Sequence, residues 1–309
     1  MHIAQPSAAA RLNRRLYAFL ALVLLSCSTC YSSLAVLVRL LTQSSEYSHI
    51  ALVLPVSVGL IYLAHVSIYR DLDSMLAVGI TVMGTAALVG SLVRLRVVSL
   101  PQEIAVTTSV FLLVTFWIGG FCACFGSRAG RKALFPLLFL YLLVPIPESI
   151  MARMVVTLQH ASADVASSLY SIAGVPVVRQ GQFFVLSNEQ IEVAAECSGI
   201  RSSIALLITA LVFGHLFLRK NLSKIVLIAA IVPLAVFKNG LRIFVLSVLA
   251  NYIDSRFLSG PLHHQGGVFF FSIALAVLGL LLLALRRLET SNPKTLGRRA
   301  VPVTVQNSR

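Results

Sequence analysis

Ala195-Glu196-Cys197-Ser198-Gly199-Ile200-Arg201-Ser202-Ser203 stands where a polar segment gives way to the apolar run Ile204 to Leu218. A run of that character reads as a membrane helix, which needs about 20 largely apolar residues. A cysteine at the start of such a helix meets free N–H groups and the positive end of the helix dipole. Both favour the thiolate, the reactive form of sulfur. Two further segments share this departure from apolar composition. Lys238-Asn239-Gly240-Leu241-Arg242 puts cations inside an apolar stretch, and His263-His264-Gln265-Gly266-Gly267 stands just before the last one. Thiol, cations and imidazole together read as a membrane enzyme site. The competing reading is a transporter with a few polar residues along its path.

Composition supports the membrane part of that reading. The 309 residues are 58% hydrophobic and 12% charged, about half the ~25% charge of soluble domains. A soluble fold of this size has no way to hide so much apolar surface. The formal charge of +14 does not point to nucleic acid, because the cations fall in short clusters between apolar runs and form no basic stripe. Cys27, Cys30, Cys122, Cys124 and Cys197 make no disulfide framework. Cys27-Ser28-Thr29-Cys30 has the spacing of a redox or metal pair, yet it lies within an apolar run, where such small residues serve helix packing.

Eight apolar segments qualify as spans, near 16–38, 50–68, 75–93, 104–125, 133–149, 198–218, 225–252 and 267–285. The fold class expected is an all-α polytopic membrane protein with a small extracytoplasmic hairpin before the helix that follows Cys197. Residues 1–287 form the integral-membrane part, and 288–309 a basic cytoplasmic tail without the composition to fold. Alternate loops gather sixteen of the twenty-five Lys and Arg, and the opposite loops six, with Arg94 and Arg96 among those six. By the positive-inside rule both termini are cytoplasmic, and Cys197 and His263 face outward.

Between Ile150 and Glu196 lies the longest stretch outside the spans. Met151 to Ala173 has apolar residues at helical spacing, with serines, His160 and Asp164 on the other face, and reads as an amphipathic interfacial helix ended by Gly174. Val175 to Val193 then reads as a two-strand hairpin turning at Ser187-Asn188, which holds Cys197 rigid and offers an edge to an extended peptide. The span 225–252 is expected to be interrupted at Pro233 and Gly240.

Arg242 either faces a polar cavity or snorkels to the outer headgroups. Lys238, one turn away, and Asn239, three residues before Arg242, share much of its face. Arg201, four residues after Cys197, either holds Glu196 or a substrate carboxylate or anchors the interface. His263 and His264 are either solvated loop residues or, for one of them, the base that serves a cysteine nucleophile. No HExxH motif or carboxylate cluster accompanies them, so no metal site is expected.

Glu196-Cys197-Ser198-Gly199-Ile200-Arg201-Ser202, Asn239-Gly240-Leu241-Arg242-Ile243 and His263-His264-Gln265-Gly266-Gly267 resemble, in order and spacing, the three signature blocks of the exosortase/archaeosortase family, bacterial exosortase type. Phe135-Pro136-Leu137, Val144-Pro145-Ile146-Pro147 and Tyr47-Ser48-His49 are also similar to family features. The resemblance implies a cysteine transpeptidase of the bacterial inner membrane, with its site toward the periplasm. Its partners would be exported proteins bearing a C-terminal PEP-like motif, a membrane helix and a basic end. By that likeness Cys197 is the nucleophile, Arg242 the arginine of the site and His263 its histidine, since a glycine follows His263 at four residues. Glu196, Arg201, Asn239 and His264 are supporting candidates, and the choice between the two histidines stays open. Beyond such proteins and the bilayer, no cofactor or nucleic acid is implied. The alternative is a polytopic transporter, or an envelope-polysaccharide export scaffold, without peptide chemistry. It predicts dependence on Arg242 and indifference to Cys197.

Overall fold

Hydrocarbon offers no partner to a backbone N–H or C=O, so apolar runs satisfy these groups internally as helices. The computed structural model of the chain describes residues 8–70, 72–73, 76–187, 190–193, 198–254 and 261–291. Among these, five helices are long and apolar enough to cross a membrane, or up to seven spans if each of two bent helix pairs counts as one. The protein is multi-pass and mostly helical, and five to seven of the eight expected spans meet this test among the described residues. Segments 16–38 and 133–149 qualify only within the bent pairs, and 50–68 is a 14-residue helix followed by a short one. The chain forms two compact units, 1–154 and 155–309.

In the first unit, α1 (Ala8–Thr29) and α2 (Tyr31–Gln43) meet at Cys30 with a bend of 81°. No proline causes it. On the last turn of α1 the hydroxyls of Ser26, Ser28 and Thr29 donate to the carbonyls of Val23, Leu25 and Ser26. Then come α3 (Ile50–Leu63), α4 (His65–Tyr69), α5 (Leu76–Arg94), α6 (Gln102–Phe125), α7 (Ser127–Lys132) and α8 (Leu134–Phe139). The core forms on one stripe of α6, where Val110, Leu113, Val114, Trp117, Phe121 and Phe125 are buried at helical spacing. Phe19 of α1 packs edge-on against Phe121 and Phe125, and the Trp117 indole donates to Ser26 Oγ at 2.9 Å.

Beyond α8 the helix tightens into a 3₁₀ turn, Leu140–Leu143. The Leu140 N–H turns to Leu137, leaving the Pro136 carbonyl to accept from the buried Ser57 hydroxyl at 2.8 Å. In the proline-rich stretch that follows, Thr107 donates to Pro145 O at 2.9 Å and Tyr47 to Ile146 O at 2.8 Å. Two segments that stood apart in the sequence, around Tyr47 and around Pro145, are thus joined.

The second unit is built on α9 (Glu148–Ala173), whose stripe Val155, Gln159, Ser162, Ala163, Ala166 and Tyr170 is buried. Ser162 is fully buried on this stripe, against the expectation that the serines share the polar face, whereas His160 and Asp164 are exposed. After Gly174 come β1 (Val178–Gln180), β2 (Phe183–Val185) and β3 (Gln190–Glu192), an antiparallel sheet in chain order with Arg179, Phe184 and Ile191 in register. The expected two-strand hairpin is a three-strand meander, because Gly181-Gln182 adds a turn inside the first run. Phe184 and Ile191 face α9, and Arg179 reaches Asp164 at 2.7 Å.

The remaining elements are α10 (Ile200–Phe217), α11 (Asn221–Ala229), α12 (Ile231–Tyr252) and α13 (Pro261–Thr290). The break between α11 and α12 falls at Ala230, where the ring of Pro233 displaces the carbonyl four residues before it. Gly240, expected to interrupt the span, lies inside a continuous α12. Phe270, Ala274, Leu278 and Leu282 are buried on α13, and the last three pack with Leu206, Ala210, Leu227 and Ile231. At its end Glu289 accepts the backbone N–H groups of Arg219 and Lys220, at 2.8 and 2.9 Å. Residues 288–290 of the expected tail are therefore helix, and 292–309 lie outside the described residues.

Candidate active site

The second unit contains a connected set of buried polar groups around the start of α10. Gly199 caps that helix in the left-handed conformation, φ +70°. A Cβ there would lie 3.1 Å from Asn239 Oδ1 and 3.5 Å from Lys238 Nζ. Glycine is required twice, by its dihedral and by the close approach of α12. The Gly199 carbonyl accepts from the hydroxyls of Ser202 and Ser203, at 2.9 and 2.8 Å, and from the Ser203 N–H. Beside this turn Ser198 is buried.

From α12, Lys238 and Asn239 reach this turn. Lys238, 6% exposed, donates its ammonium to Ser202 Oγ. Asn239, 1% exposed, donates Nδ2–H to Ser162 Oγ of α9 at 3.1 Å. Burying such groups is costly, and these two bonds offset part of that cost. The tight contact of α12 with α9 depends on Gly240, whose Cβ would fall 2.6 Å from Val165 Cγ1 and 2.9 Å from the Ser162 carbonyl. Gly240 is a notch for helix packing and not a breaker.

Arg242 stands one turn beyond Lys238 on α12 and is half-buried. The close approach of α13 occurs at Gly267, whose Cβ would meet Arg242 Nη1 at 3.8 Å. Two cations on one helix face repel each other, so the wall formed by Lys238 and Arg242 favours an anion beside it. A thiolate or a developing oxyanion is such an anion.

The sheet and α9 brace the approach to this turn from the other side. Gln159 donates to the Val193 carbonyl at 2.9 Å, and the Val193 N–H donates to Gln182 O at 2.9 Å. Tyr170, Phe184, Leu186, Ile191, Val193 and Ile243 form one apolar cluster, so the sheet, α9 and the Arg242 segment of α12 are mutually packed. The chain is therefore anchored at Val193 and again at Ser198.

Of the residues singled out from the sequence, Asn239 and Arg242 lie together with Lys238 on α12. Arg201 is exposed in the first turn of α10, beside the inward-turned Ser202 and Ser203. His263 and His264 belong to the first turn of α13 and not to a loop, because Pro261 starts that helix, a position its missing N–H suits. Glu196 and Cys197 lie outside the described residues. Gln159, Ser162 and Ser202 are the additions made by the structure. For Gln159 and Ser162 the signal in the sequence is a polar pair at i and i+3 inside the otherwise apolar stripe of α9.

Residues 41–280 match the profile of the transmembrane exosortase family. No match was found among curated proteins or among solved structures.

Proposed function

The chain belongs to the transmembrane exosortase family, and from that premise we propose that it is a membrane-embedded cysteine transpeptidase that cleaves C-terminal sorting signals of exported proteins. Cys197 is the nucleophile, Arg242 the group that stabilises charge and His263 the proton carrier. The observation that carries this reading is the turn at Ser198-Gly199. It is held by Lys238 and Asn239 on the same α12 that bears Arg242, and the residue bonded to Ser198 is Cys197.

In this scheme the Cys197 thiolate attacks the scissile carbonyl carbon. The negative charge moves to the carbonyl oxygen, where Arg242 stabilises it; preorganised charge in a dry site is often what lowers a barrier most. Collapse of that intermediate breaks the C–N bond, with His263 donating a proton to the leaving amine, and leaves a thioester. An acceptor amine or water, deprotonated by His263, then attacks the thioester carbonyl, takes the acyl group and expels the Cys197 thiolate. His263, which a glycine follows at four residues, is preferred over His264. The distribution of cations supports a site on the periplasmic side of the inner membrane, with both termini in the cytoplasm.

A transporter reading requires Lys238 and Arg242 to line an aqueous path. Lys238 is instead buried and bound to Ser202, which favours a fixed site. The test is co-expression with a reporter ending in a motif, a membrane helix and a basic tail. Wild type is expected to shorten the reporter and yield a hydroxylamine-sensitive adduct, and Cys197→Ala to do neither. Undiminished cleavage by Cys197→Ala would end this reading.

A further inference from the structure

The first unit contains a half-open cavity of about 710 Å³ between the α1–α2 bend, α5 and α6. Its walls include Leu25, Val98, Leu112, Leu113 and Phe116, and its polar lining includes Ser26, Cys30, Ser91 and Gln102. Among the described residues that line it, Arg94 and Arg96 are the cations and none is Asp or Glu. The Arg94 guanidinium donates to Cys30 Sγ at 3.6 Å, tying the end of α5 to the α1–α2 bend.

Arg96 carries a conformational cost at this place. It is the one non-glycine residue with positive φ among the described residues, +56°. The bonds from Arg96 N to Val93 O and from Val97 N to Leu92 O, 3.2 and 3.1 Å, are those of a Schellman helix end, in which this position is usually glycine. Glycine would relieve the strain, yet the chain places a guanidinium here. By the distribution of cations, Arg94 and Arg96 also fall on the side poor in positive charge. Apolar walls with a purely cationic rim complement an amphiphile with an anionic head.

We propose that this cavity holds a bilayer phospholipid, with its phosphate against Arg94 and Arg96 and an acyl chain along Leu112, Leu113 and Phe116. The chain has a single tryptophan, and its indole is bonded to Ser26 in the cavity lining. Trp117 fluorescence therefore reports an occupant. The full-length protein in detergent is titrated with phosphatidylglycerol brominated in its acyl chains, with brominated diacylglycerol, and with the phospholipid in the presence of inorganic phosphate. The phospholipid is expected to quench at the lowest concentration, diacylglycerol only far above it, and phosphate not to displace it. Arg94→Gln with Arg96→Gln should raise the half-quenching concentration roughly thirtyfold, and Arg96→Gly alone roughly fivefold. Arg96→Gly should do so without lowering the melting temperature, because it removes strain. Equal quenching by diacylglycerol, displacement by free phosphate, or wild-type titrations in both variants would overturn the proposal. So would an Arg96→Gly protein that is less stable but binds lipid unchanged, since that is the signature of a helix-end charge alone.

Discussion

Two sets of buried polar side chains, one in each unit, act differently. In the first, Ser57, Thr107 and Tyr47 donate to the carbonyls of Pro136, Pro145 and Ile146. Each mends a backbone group released where the helix tightens or a proline intervenes. In the second, Lys238 meets Ser202 and Asn239 meets Ser162, side chain to side chain, around a left-handed glycine. Those bonds repair no broken helix; they fix the relative positions of α9, α10 and α12. A polar group that mends backbone contributes to stability wherever it lies. One that ties side chains from three elements to one turn contributes position, and that difference separates a scaffold from a site.

The comparison is tested hardest at Arg242. Arg242→Gln is expected to lower reporter processing about a hundredfold to a thousandfold while leaving the melting temperature near that of wild type. Arg242→Lys should recover little, because a point charge does not reproduce a planar guanidinium. Retained processing would place Arg242 with the mending residues.

Gly240→Ala comes next. The added methyl meets the Val165 side chain, which has some freedom, and the Ser162 carbonyl, which has little. Overpacking of this kind costs about 1–3 kcal/mol, and it displaces Lys238, Asn239 and Arg242 together. Both stability and processing should fall, and a second change, Val165→Ala, should restore part of each. Loss of stability with full activity would show that the site tolerates a shift of α12 and would blunt the contrast. Ser57→Ala is the opposite case. It leaves the Pro136 carbonyl buried without its hydroxyl donor, a loss of about 1–2 kcal/mol, and processing per folded molecule should be unchanged. Measured denaturation midpoints and reporter cleavage, side by side, decide it.

The same contrast explains what was legible in the sequence. All eight apolar segments are helical over most of their length, because composition alone dictates that. The bend at Cys30 is not marked by proline. The spacing of its serines and threonine does not mark it either, since α5 and α6 carry similar hydroxyl-to-carbonyl bonds within uninterrupted helices. Gly240 reads as a breaker because an isolated glycine in a helix usually weakens it. Its reason is Val165, far away in sequence. Ser162 reads as part of a polar face until Asn239 supplies its partner 77 residues later. Local chemistry was readable where it acts locally: Pro233 at the α11–α12 break, and Gly174 after α9. The three blocks that identify the family were readable too, but not the contacts that hold them. One of those contacts, Ser162 with Asn239, comes from α9, outside every block.

The smallest effect concerns His49, which precedes α3 in the first unit. Its Nδ1 bonds the Glu46 carbonyl at 3.0 Å. Burial lowers its pKa below the ordinary histidine value, and the bond to Glu46 opposes this only in part. A histidine whose folded pKa lies below its unfolded one binds protons more readily when unfolded. Its contribution is therefore complete above about pH 6.5 and declines as pH falls from there through the lowered value. His49→Gln keeps a donor and removes the titration. The melting temperature of wild type should then fall more steeply than that of the variant as pH drops below about 6.5, with the two curves parallel above it. Parallel curves throughout would show that His49 does not feel its burial. A variant that also lost reporter processing at neutral pH would give His49 more than a mending role and narrow the difference between the two units.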